Sequence, residues 1–329
     1  MHAVSKPERR RVLGWLATGP LLVAAPAVLK AERLQWVGVT ATPAADFIGM
    51  GLDFFAKRVA ELTRDQIVIS SHHGGSLGGE HDHVEALRRG AVHVAAPGQA
   101  VLAGWYAPAQ VWGEPYLFRD VGHKNRAWDH LRPDYQAAIA EAAGLRPLGA
   151  IPRMPRQLGC NRPVRSPADM KGLKIRVPEG AVWRRTFEMF GAEPRPLSFA
   201  RVYDALKAGD VDGQENPVAL AFSAGFFEIN SHLSLTGHMM QDNCILVAEA
   251  GYQRLSPELK AALDRAARDM EAELRPRVKA DDAVVMSQLK SRKVMVTEVD
   301  VGAFAATVAG LRQEFEAGAG WRERVTRLS

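Results

Sequence analysis

Cysteine is almost missing from this chain, with only Cys160 and Cys244 among 329 residues. Two thiols cannot build a disulfide framework, and no CxxC pair exists to hold zinc or run redox chemistry. We read both as buried free thiols. Other absences exclude more. There is no HExxH, no GxGxxG, and no glycine turn followed by Lys-Ser or Lys-Thr. Zinc peptidase, dinucleotide and phosphate-loop readings thereby lose their sequence signals. No repeat at a solenoid period and no low-complexity tract occurs.

A surplus of one charge sign is also lacking once the N-terminus is set aside. The formal charge is +5 and the pI about 9.3. Residues 1–31 hold a basic start (Lys6, Arg9, Arg10, Arg11), an apolar run from Val12 to Leu29, and small residues at Ala25, Ala27 and Ala31. That is the three-part layout of an export signal, and Arg9-Arg10-Arg11-Val12-Leu13 fits the twin-arginine pattern loosely. The run approaches the length of a membrane span, but Gly14, Thr18, Gly19 and Pro20 dilute it. Cleavage after Ala31 leaves 37 cations against 36 anions, which removes the case for a nucleic-acid partner. The expected location is periplasmic, of the Gram-negative type.

What remains is an ordinary globular composition, 47% hydrophobic and 24% charged, long enough for two domains. Strand, helix and strand signals alternate from Arg33 onward. PAADFIGMGLDFFAKRVAELT spaces Phe47, Met50, Phe54, Val59 and Leu62 as a helix does, and QIVISS has β-branched strand content. After GGSLGG come a helix near Glu80–Arg89 and the short strand AVHVAA. This βαβαβ order predicts a largely parallel sheet that binds ligands at the carboxyl ends of its strands. A long helix is predicted over Val121–Ala143, with a hinge at Pro152 and Pro155. Beyond it, QLGCNRPV, LKIRV, HLSLTGH and NCILVAE read as strands, Ala181–Phe190 as a helix and DVDGQENP as a loop. Ser198 is placed to cap the next helix, and Pro276 is expected to kink or divide the helical stretch Pro257–Lys293.

The densest polar cluster, HHGGSLGGEHDH, gathers His72, His73, Glu80, His81, Asp82 and His83. A metal-dependent periplasmic enzyme is one reading of it. Against that, His81 and His83 are two apart, which on a helix points them in different directions.

The stretch KGLKIRVP (171–178) alternates Leu173, Ile175 and Val177 with Lys174 and Arg176. Alternation alone does not separate a wet sheet face from a binding strand. Its surroundings are more specific: RQLGCNRPVRSPADMKGLKIRVPEG, then GAEPRPLSFARVYDALKAGDVDGQENP, then FFEINSHLSLTGH. In order and spacing this string resembles the DctP-like solute-binding proteins of TRAP transporters, over nearly the whole chain after the signal.

The resemblance implies an α/β fold of the type II-like periplasmic binding class: two lobes of mixed sheets flanked by helices, with a hinge between them. The lobes are expected at 32–153 plus 242–281 and at 154–241 plus 282–329. It implies a receptor, not an enzyme, with no cofactor and no metal. The receptor would be a monomer that captures a carboxylate and hands it to the large and small permease subunits. A ligand-sensing partner of a signalling receptor is the alternative on the same fold. By position in the family motifs, Arg176 would clamp the carboxylate, and its paired donors suit that task better than a lysine point charge. Arg156 would share the carboxylate, Asn216 would fix its orientation and Phe199 would flank it. Glu80, Gln99, Gln241 and Thr40 would face the variable end, which favours a hydroxylated or sugar acid. Lys174 is expected to be solvated. Ala200-Arg201 stands where the family's helix usually begins with an acidic residue, a departure that touches capping rather than the ligand site.

Overall fold

The structure, a computed structural model, describes residues 33–328, so the export-signal reading of residues 1–31 lies outside the described residues. The chain opens with β1 (Leu34–Val39), α1 (Phe47–Thr63), β2 (Ile67–His72), α2 (Glu80–Arg88), β3 (Val94–Ala95), α3 (Val121–Ala143) and β4 (Leu145–Ile151). It continues with β5 (Arg156–Cys160), β6 (Lys174–Val177), α4 (Ala181–Met189), β7 (Glu193–Pro196), α5 (Val202–Ala208), β8 (Gly213–Pro217), α6 (Val218–Ser223) and β9 (His232–Met239). It ends with β10 (Asn243–Ala248), α7 (Glu249–Gln253), α8 (Pro257–Ser291), β11 (Met295–Thr297), α9 (Val301–Thr307), α10 (Leu311–Glu314) and α11 (Ala319–Arg327).

Two sheets result, ordered β2-β1-β3-β10-β4 and β11-β9-β5-β8-β6-β7. β1 pairs in parallel with β2 and β3, whereas β10 runs antiparallel to β3 and β4, so the first sheet is mixed. The chain passes between sheets at Pro152–Pro155, after β4, and at Met240–Asp242, after β9. It passes a third time along α8.

The helices form where expected but bury a slightly different face. The side chain of Asp46 caps α1 by accepting from Ile48 N at 3.0 Å, and the helix buries Phe47, Ile48, Leu52, Phe55 and Val59. Met50, Phe54 and Leu62 are only partly buried at the edge of that core.

Pro276 does not divide α8, which runs through it for 35 residues, a length of about 52 Å at 1.5 Å per residue. Its first part buries Leu263, Ala267, Met270, Leu274 and Val278 in the core under the first sheet. Its end places Leu289 in the core under the second. Packing on both sides of the proline outweighs its intrinsic helix cost of about 3 kcal/mol. The expected boundary put all of 282–329 with the second sheet. α11 instead packs against the first: Val325 lies in that lobe's core, His123 Nε2 bonds Val325 O at 3.0 Å, and Arg322 grips Glu114 at 2.6 and 2.5 Å.

The largest correction concerns DVDGQENP. Its Asp, Gly, Asn and Pro content signals a loop, but Gly213–Pro217 is a fully buried central strand, antiparallel to β5 and parallel to β6. A Cβ at Gly213 would lie 2.5 Å from Gly159 O, so glycine is required by the approach of β5. Tertiary pairing, not local propensity, makes this strand. Ser198 precedes the turn Phe199–Arg201 without a side-chain cap bond.

Candidate functional site

Between the two sheets lies a cavity walled from the first lobe by Thr42, Glu80, His81 and Gly98, and from the second by Arg156, Arg176, Phe199 and Asn216. The two crossovers contribute Arg153 and Gln241, and the first residue of β10 contributes Asn243. The lobes touch across it. A Cβ on Gly75, which has φ +69°, would sit 3.2 Å from the Ala200 Cβ, and one on Gly79 would sit 3.4 Å from that of Ser198.

β6 sets the first cation. Leu173, Ile175 and Val177 enter the hydrophobic core, Lys174 is exposed, and Arg176 is only 3% exposed on the opposite side of the strand from that core. Its Nε and Nη2 both donate to Leu197 O, at 2.8 and 2.6 Å, and its guanidinium stands over the Phe199 ring at 5.9 Å. Nη1 is buried with no hydrogen-bond partner, and no carboxylate forms an ion pair with this side chain among the described residues. Desolvation pulls the Arg176 pKa down to about 10; Glu215 and Glu80 oppose that shift and Arg156 adds to it.

Arg156 is differently placed. From β5 its Nε and Nη2 grip Glu215 of β8 at 2.5 and 2.7 Å, and Nη2 also reaches Asn216 Oδ1 at 3.0 Å. His238 Nε2 completes the cluster at 2.9 Å from Glu215 Oε2, while its Nδ1 meets the Thr236 hydroxyl at 2.8 Å. With Nδ1 accepting from Thr236, Nε2 carries the proton and donates to Glu215. Burial opposes the Glu215 charge, but Arg156 and His238 outweigh it and hold the carboxyl below its usual range. Burial also lowers the His238 pKa, against the pull of Glu215. The sequence reading has the guanidinium fork of Arg156 share the ligand carboxylate with Arg176. In the structure that fork is occupied by Glu215, and Nη1 is the nitrogen without a partner among the described residues.

Glu80 opens α2 and accepts Gly98 N at 2.9 Å and Asn243 Nδ2 at 3.1 Å, both on Oε1. Burial raises its pKa, while the Gly98 bond, the two arginines and Asn243 pull it back. Gln241 accepts Ala100 N at 3.2 Å through Oε1 and presents its amide to the cavity. Thr40 and Gln99 do not reach the cavity wall. Thr40 is buried against the Thr42 hydroxyl at 3.2 Å, and Gln99 is buried with its backbone N on Asp242 O at 3.0 Å. Their neighbours Thr42 and Gly98 line the wall instead.

The histidine cluster disperses. His73 bonds Asp53 at 3.1 Å, His81 packs on Trp105 at 4.6 Å, and His83 is buried with its pKa pushed down to about 4 by burial. Among the described residues no group of three His, Cys, Asp or Glu is placed to hold a metal ion. Cys160 and Cys244 are free, buried thiols, one in each sheet.

Sequence reasoning missed Arg153, Asn243, Thr42 and His81 as cavity residues. The position of Arg153 between Pro152 and Pro155 was legible as a hinge, but which side chains point inward depends on how the two sheets face.

The profile of the bacterial extracellular solute-binding protein family 7, DctP, matches residues 38–318. The Escherichia coli 2,3-diketo-L-gulonate-binding periplasmic protein YiaO is 31% identical over 76% of this chain and 77% of its own length. A Roseobacter denitrificans TRAP periplasmic solute-binding protein, solved with β-D-glucuronate, superposes with a TM-score of 0.85 at 29% identity, covering 89% of this chain and 98% of that one. A Polaromonas receptor solved with D-erythronate gives 0.83 at 29% identity, covering 90% and 98%. No described helix is long and apolar enough to cross a membrane. With this fold and this profile match, the chain belongs to the DctP family of solute-binding receptors of TRAP transporters, proteins that bind small carboxylates and work with membrane permease subunits.

Proposed function

We propose that this receptor captures a hydroxylated monocarboxylic acid of the sugar-acid type in the periplasm. One observation carries the reading: Arg176 is buried, charged, and short of one hydrogen-bond acceptor at Nη1. An uncompensated buried cation is costly, and a carboxylate supplies both the charge and the acceptor.

The charge inventory supports a single carboxylate. Arg156 is neutralised by Glu215 and Arg153 by Asp46, which leaves Arg176 as the cation without an ion pair on the described wall. The remaining wall offers Glu80, Gln241 and Asn243, groups that exchange hydrogen bonds with hydroxyls. The ligands of the relatives named above, diketogulonate, glucuronate and erythronate, are acids of this kind. Phe199 and Asn216 flank the carboxylate position. The chain would be exported through its residues 1–31, act as a monomer in a Gram-negative periplasm, and deliver its cargo to large and small TRAP subunits.

A thermal-shift screen of organic acids tests this, because a ligand bound only by the folded state raises the melting temperature. Hydroxylated monocarboxylates should give the largest rises. Rises confined to dicarboxylates, or none at all, would overturn the reading.

A further inference from the structure

We propose that Arg153 is a further ligand-contacting residue, one that donates to an oxygen on the body of the acid while Arg176 holds the carboxylate. The proposal rests on the receptor reading above. Arg153 lines the cavity, is 3% exposed, and spends one bond on structure, from Nη1 to Asp46 Oδ2 at 2.7 Å. Among the described residues its Nε and Nη2 have no hydrogen-bond partner. Asp46 cancels the charge, so the open donors do not demand a second carboxylate; a hydroxyl or carbonyl oxygen satisfies them.

The side chain is aimed with unusual care. Arg153 N donates to Asp242 Oδ1 at 2.8 Å, and Lys124 Nζ donates to Arg153 O at 2.9 Å and also bonds Asp242 Oδ1. Lys124 is 1% exposed, and burying an ammonium is unfavourable unless it is paired. Burial lowers its pKa, against the pull of Asp242. With the Arg153 N–Asp242 bond, that ion pair ties both crossover segments to α3 at the residue carrying the guanidinium. Arg153 therefore meets the ligand from the hinge wall, whereas Arg176 meets it from the second sheet. An acid must be long enough to reach that wall, so Arg153 discriminates by chain length as well as by oxygen content.

Arg153→Lys tests this, since lysine keeps the charge for Asp46 but loses the planar fork. Calorimetry with D-glucuronate, a six-carbon acid, and D-erythronate, a four-carbon acid, should show about tenfold weaker binding of the first and a smaller loss for the second. The ligand-free melting temperature should stay within about 2 °C of wild type. Unchanged affinity for both acids overturns the assignment, as does an equal loss for both accompanied by a lower melting temperature, which would mark a structural role. Wild-type protein that binds neither acid takes down the sugar-acid reading itself, and Arg153 with it.

Discussion

Arg156 and Arg176 stand in one cavity, buried to a similar degree, yet their surroundings differ in kind. Arg156 is gripped by Glu215, which His238 and Thr236 hold in turn, so its cost of burial is met within the protein. Among the described residues Arg176 has only the Leu197 carbonyl and the Phe199 ring, and its buried Nη1 goes without. The first arrangement resembles a structural ion pair that also faces the ligand. The second would be completed by the anion of the proposed function. Incompleteness, not charge alone, is what singles out Arg176 as the proposed clamp.

The sharpest way to break the comparison is Arg176→Ala. Binding should weaken by at least a thousandfold, about 4 kcal/mol, by calorimetry. The ligand-free protein should melt no lower than wild type, because the substitution removes an uncompensated charge; a large drop in melting temperature would make Arg176 structural after all. Glu215→Gln should do the reverse. It strands Arg156 and should cost about 3 kcal/mol of stability in denaturant unfolding, as breaking a buried pair does. A variant as stable as wild type would show that Arg156 does not depend on this partner.

Acid should separate the two sites with a smaller effect. His238 is held neutral in the folded state, with its pKa below the unfolded value of about 6.5. The unfolded chain then binds more protons in that window, so stability present above pH 6.5 is lost as the pH falls toward the folded value. His83, at about 4, acts in the same direction. Melting temperature should therefore decline below about pH 6.5, and His83→Gln should flatten part of that slope. Arg176 has no share in this window, since its pKa of about 10 keeps it charged throughout.

Much of this was legible in the chain. The pattern of Lys174 and Arg176 was read correctly, the first exposed and the second in the cleft, because flanking motifs fixed the strand's place and strand geometry fixed the side. Asn216, Phe199, Glu80 and Gln241 also reach the cavity. Thr40 and Gln99 do not, for in the extended chain beyond β1 and β3 a shift of one residue turns a side chain from the cavity to the core. DVDGQENP was misread because its turn-forming residues are overridden by strand partners on both sides. Pro276 does not divide α8, because a helix anchored in two cores tolerates the lost bond.

By itself, then, the sequence determined most of the order of strands and helices, the family, and that Arg176 rather than Lys174 reaches the cleft. These depend on local periodicity and on motifs contiguous in the chain. Only the tertiary structure decided that Arg156 is already paired, that Nη1 of Arg176 is not, and that Arg153 enters from the hinge. Glu215 lies 59 residues beyond Arg156, and Asp46 lies 107 before Arg153. Whether a buried charge is satisfied depends on groups that only folding brings within hydrogen-bond reach.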